Sequence, residues 1–190
     1  MSGRGVLLGA AVLVLAGCAT AFVQGQAELR GGRPAEARRH FQEALARQPD
    51  RLDAVAGLAV AEYKLGEFVR AATLFERVVS RAPDSGQARL YLALAHLQAG
   101  DLERAVARLA EVRRLGLPAR TVTEIERALV VLQAGVPDAV RVFVATSLEG
   151  DLEWAAEVHD ARTAPRAWLE PHWVIYSDAH AVYPHIHGVP

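Results

Sequence analysis

A single cysteine, Cys18, leaves the chain no intrachain disulfide, so packing alone must hold the fold. Aromatics are scarce too, at 6 % of the 190 residues. A core built from this chain draws mainly on Ala, Leu and Val, a composition suited to helices packed closely around small side chains. Neither sign of charge dominates: the net charge of −1 implies neither the basic stripe of a nucleic-acid binder nor the acid tail of a solvating segment. The apolar run near the start of the chain, Val6 to Ala16, is shorter than the roughly 20 residues that a helix needs to cross a bilayer. Also missing are GxSxG, HExxH, a glycine-rich phosphate loop after a strand, and paired carboxylates in a recognisable context. The chain therefore reads as no enzyme, with no cofactor, no metal and no nucleic-acid partner. Its length suffices for one domain with a real core.

What is present begins at the N-terminus. Arg4 precedes an apolar run from Val6 to Ala16, too short for a span but fitting the apolar region of an export signal. The run ends in Leu15-Ala16-Gly17-Cys18, which resembles the lipobox of bacterial lipoproteins. That resemblance implies removal of residues 1–17 and acylation of Cys18. It also implies a mature chain held in the cell envelope by lipid, since two or three acyl chains, at about 0.8 kcal/mol per buried methylene, anchor stably. Ala19 stands where the family places an Asp for inner-membrane retention, so the expected location is the outer membrane, facing the periplasm.

From residue 19 the chain repeats itself. Gly32, Gly66 and Gly100 recur about every 34 residues, as do Ala37, Ala71, Ala105 and Ala139, and Phe41, Phe75, Leu109 and Phe143. Pro49 and Pro83 close the first two units. The stretch Ala93 to Ala105 shows the plan: a helix end, a glycine turn, and a new helix. The pattern resembles the tetratricopeptide repeat family, which implies an all-α solenoid of helix-turn-helix units over residues 18–150, at about 19–51, 52–85, 86–119 and a degenerate 120–150. The fourth unit rests on self-similarity: Ala128 to Gly135 matches Ala93 to Gly100 at six of eight positions. Thr121 and Glu124 form a capping-box pattern at its start.

Beyond Pro137 two readings compete. The β-branched run 140–146 allows a hairpin with 152–158, whereas the repeat register favours a helix. On the helical reading Gly150 ends the fourth unit, and Asp151 caps a separate end helix over 151–162. Residues 163–190 form an extended tail, rich in Trp, Tyr and His and broken by Pro165, Pro171, Pro184 and Pro190.

The tetratricopeptide resemblance implies a binding groove on the first helix of each unit. The family positions fall on Phe22, Gln26 and Leu29; on Ala56, Val60 and Tyr63; on Leu90, Leu94 and Leu97; and on Ile125, Leu129 and Leu132. The family's carboxylate-clamp members carry Lys and Asn on this face, and here the matching positions are Ala56, Val60, Leu90 and Leu94. The expected guest is thus an apolar protein segment, an amphipathic helix or an extended strand with aromatic anchors. On this reading Leu94 and Leu129 can become Gln with helicity nearly intact. The function implied is a membrane-tethered scaffold or adaptor, of the kind that assembles envelope machines such as pili, secretion pores or outer-membrane complexes. Two alternatives remain: a metal-binding or enzymatic role in the tail, where His172, His180, His185 and His187 cluster, and a structural lipoprotein whose aromatic tail occupies its own groove.

Overall fold

The computed structural model describes residues 20–115 and 117–163. These residues form eight helices and no strand: α1 (20–30), α2 (Pro34–Arg47), α3 (Leu52–Lys64), α4 (Phe68–Arg81), α5 (Gly86–Gln98), α6 (Leu102–Val112), α7 (Ala119–Gln133) and α8 (Asp138–Thr163). Cys18, the export signal and the tail from residue 164 lie outside them. The chain divides after Glu153, and the packing described below belongs to the first unit, which ends there. Each helix packs on the next from α2 to α7, and α3 also touches α5. That succession is an α-solenoid.

The turn chemistry sets the succession. Gly32, Gly66, Gly100 and Gly135 hold φ between +68° and +87°, the left-handed region that side chains disfavour. At Gly66 the following Glu67 N–H donates to Glu62 O at 2.9 Å, and at Gly100 the Asp101 N–H donates to His96 O at 2.9 Å. These bonds stop one helix and aim the next. Caps do the rest: Ser85 Oγ accepts from Ala88 N at 3.3 Å, Asp101 Oδ1 accepts from Arg104 N at 3.1 Å, and Pro34 opens α2.

The fourth unit departs from strict periodicity in one instructive way. Its glycine is residue 135, one later than a spacing of 34 requires. Counting from each glycine, not from the preceding unit, the small inward position is Ala37, Ala71, Ala105 and then Val140. The large one is Phe41, Phe75, Leu109 and then Val144. Ala139 and Phe143 are accordingly not the fourth members of those series: Phe143 is 73 % exposed, whereas Phe41 and Leu109 are fully buried.

Residues 138–163 are helical, as the repeat register predicts, and the alternative hairpin over 140–158 does not form. The expected break at Gly150 is absent as well. One helix of 26 residues runs through Gly150 and Asp151, so 151–162 is not a separate end helix. An interior glycine costs a helix only about 1 kcal/mol, and the surrounding contacts exceed that. Leu148 and Leu152 are buried on one face, and the Asp151 carboxylate sits 2.9 Å from the Arg120 guanidinium. The capping box also fails: α7 starts at Ala119, and Thr121 is buried inside its first turn. Pro118, with φ −51°, already sets the helix entry.

Two details of the core position the functional face. The Phe41 ring is clamped between Gly25 of α1 and Gly57 of α3; an added Cβ would come within 2.8 Å and 2.5 Å of it, respectively. Glycine inside those two helices is therefore the condition for seating a phenyl ring at the joint of units one and two. The second joint uses aromatic tiers. Tyr91 of α5 stacks on Phe75 of α4 at 5.4 Å between centroids, and meets Tyr63 of α3 edge-on at 5.5 Å.

Candidate functional site: a concavity across α1, α3 and α5

Every residue of α5 from Leu90 to Leu97 is buried, including His96. A helix in an open array leaves one face to water, so something must cover α5, and α8 supplies anchors over it. The Arg141 guanidinium donates to the Leu97 and Gln98 carbonyls at the C-terminal end of α5. Lys64, the only lysine in the chain, ends α3 and pairs with both Glu149, at 2.5 Å, and Glu153. Between these polar anchors, Val144, Ala145, Leu148 and Leu152 join the same apolar core as Tyr63, Leu90 and Leu94. Burial works against the Lys64 ammonium, but its bonds to Glu149 and Glu153 outweigh that and hold its pKa above the usual lysine range. Desolvation pushes the Tyr91 phenol up to about 12, so it stays a neutral hydroxyl. Burial pushes His96 down, against the pull of Asp101 at 3.9 Å.

Because α8 takes the C-terminal ends of α3 and α5, the N-terminal ends stay open. There a concavity of ≈ 280 Å³ lies across α1, α3 and α5. Phe22, Leu29, Ala56 and Val60 give it apolar walls, with Phe75 and Tyr91 at the floor. The exposed amides of Gln26 and Gln87 face it from opposite sides of the array. Arg51 marks the rim: its guanidinium stands 4.1 Å over the Phe22 ring and bonds both Asp53 carboxylate oxygens, at 2.8 and 3.1 Å. That ion pair lowers the Asp53 pKa and neutralises Arg51, so the concavity suits an uncharged guest better than an anion.

Of the residues expected on the groove, Phe22, Gln26, Leu29, Ala56 and Val60 line this one concavity. Tyr63, Leu90, Leu94, Leu97, Ile125, Leu129 and Leu132 do not: all seven are buried in the packing of α3, α5, α7 and α8. An open groove running the length of the array is thus replaced by a shorter one at its N-terminal end. Asp53, Gln87 and Tyr91 also line it, beside the buried Phe41, Phe75 and Val78. The first three lie one turn or less nearer the helix starts than the family positions; the signal for Asp53 and Gln87 would have been their polarity and exposure beside buried neighbours, whereas Tyr91 is itself buried. Among the described residues no group of three or more His, Cys, Asp or Glu side chains could hold a metal ion, and no helix is long and apolar enough to cross a membrane.

Stacked helix pairs around an open concavity define a helical-repeat scaffold. Two tetratricopeptide repeat family models match the chain, over residues 22–85 and 62–116, and between them span half of it. The chain belongs to the tetratricopeptide repeat family. Among curated proteins none matches it. Tetratricopeptide repeats generally mediate protein–protein interaction or scaffolding, and proteins built from them are typically not enzymes.

Proposed function

We propose that this protein is a lipid-anchored adaptor of the bacterial cell envelope that holds an uncharged, apolar protein segment in the concavity between α1, α3 and α5. The observation that carries the reading is the lining itself. Phe22, Leu29 and Val60 offer apolar surface, while Gln26 and Gln87 can bond both the N–H and C=O groups of a guest backbone. A guest of that kind is a segment of a partner protein, and a tethered scaffold of this size serves assembly of a larger envelope complex, such as a pilus, a secretion pore or an outer-membrane machine. The tether is Cys18, on the strength of the lipobox-like residues before it, with the outer membrane as the site.

Two measurements test the parts separately. The intact mass of the chain purified from membranes is expected to show loss of residues 1–17 and addition of acyl groups; Cys18→Ser should leave an unacylated chain in the soluble fraction. An unmodified Cys18 in a full-length membrane chain would overturn the anchor. For the groove, Val60→Arg places a cation in the apolar wall at a half-buried position. It is expected to leave helicity unchanged and to reduce the co-purified partner at least tenfold, as loss of one anchor of about 1.4 kcal/mol or more requires. Retention of the partner by this variant would move the binding site elsewhere.

A further inference from the structure

The fourth unit is underfilled. Nine residues after the turn glycine the first three units bury Phe41, Phe75 and Leu109, and the fourth has only Val144. Three residues further on, the buried Ala44, Val78 and Val112 give way to Ser147. The smaller and more polar pair leaves a crevice of ≈ 160 Å³ between α7 and α8, floored by Ala128, Val144 and Leu148 and walled by Val131 and Phe143. An apolar cavity of about 150 Å³ accepts a benzene ring, so the opening matches one phenyl side chain. A phenyl stands beside it: Phe143 is 73 % exposed, and Val131 on the facing helix is 37 % exposed.

We propose that this face is a self-association surface, on which a second copy of the chain docks about a two-fold axis, with Phe143 of each copy entering the crevice of the other. A two-fold interface needs knob and hole on the same patch, and Phe143 lies on the wall of the very crevice it would fill in the second copy. Charge supports the same occupant. The rim carries Glu124 and Arg127, paired at 2.7 Å, so a rotated copy can set Arg127 against Glu124 twice over. A strongly acidic or basic partner would leave one of the two opposed by like charge.

The experiment is sedimentation velocity and light scattering of the full chain in mild detergent over a range of concentrations, with Phe143→Glu and Val144→Phe beside the wild type. The wild type is expected to form a dimer. Phe143→Glu alters an exposed side chain, so it should keep the helical spectrum while weakening association at least about 30-fold, the loss typical of a central interface anchor. Val144→Phe fills the crevice from within and should be monomeric with a raised melting temperature. Two results overturn the proposal. A wild type that stays monomeric at every concentration would assign the crevice to another occupant, such as residues 154–190 or a different protein. A dimer that survives Phe143→Glu would place association on another surface, the apolar N-terminal run included.

Discussion

Leu94→Gln is expected to destabilise the chain by about 3–5 kcal/mol, read as a large fall in the urea midpoint followed by far-ultraviolet circular dichroism. Leu94 is fully buried between the helices of unit three and the covering α8. Removing a buried leucine forfeits about 2–3 kcal/mol of apolar burial, and an amide left without a partner in its place adds about 1–3 kcal/mol. Val60 occupies the equivalent position of unit two, six residues before the turn glycine, yet it is only half-buried at the concavity. Val60→Gln should therefore cost about 1 kcal/mol or less. The contrast between these equivalent positions reports directly on α8: an uncovered α5 would make the two substitutions similar.

Gly57→Val should be nearly as severe, at about 3 kcal/mol. An added Cβ alone would lie 2.5 Å from two atoms of the Phe41 ring, and that ring has no free space to yield because Gly25 closes its other side. Overpacking of this kind typically costs about 1–3 kcal/mol, and a β-branched side chain adds to it. Shrinking the ring should relieve the clash, so Gly57→Val with Phe41→Leu is expected to recover part of the loss. Gly150 is the control. Nothing lies within 4 Å of an added Cβ there, and the residue is inside a continuous helix. Gly150→Ala should raise stability by about 0.5–1 kcal/mol. The two glycines look alike in the sequence, and opposite signs on substitution would show that one serves packing and the other does not.

These pairs also show which parts of the structure are legible in the sequence. Turn glycines and the small and aromatic positions that follow them are local signals, and they place α1 to α6 correctly. The fourth unit carries the same signals one residue late, and only the glycine of its own turn gives the register: Val144, not Phe143, occupies the inward site. A Gly-Asp pair in mid-chain reads as a helix end and a cap. What overrides it is long-range: the partner of Glu153 is Lys64, 89 residues earlier, and that of Asp151 is Arg120. The same distant contacts explain the candidate site. Family positions coincide with its lining on α1 and at Ala56 and Val60 of α3, where no later element intervenes. They mislead at Tyr63 and along α5 and α7, because no local pattern announces that α8 folds back over them.

Binding confined to the open N-terminal concavity is tested most directly by site-specific photocrosslinking in cells. A benzophenone side chain placed at Gln26 or at Gln87 should capture the same partner, giving one adduct of common mass. Placed at Val69, exposed on α4 and absent from the concavity lining, it should capture none, and Val60→Arg should abolish the adducts from both glutamine positions. An adduct of equal yield from Val69, or adducts from Gln26 and Gln87 that survive Val60→Arg, would contradict the account.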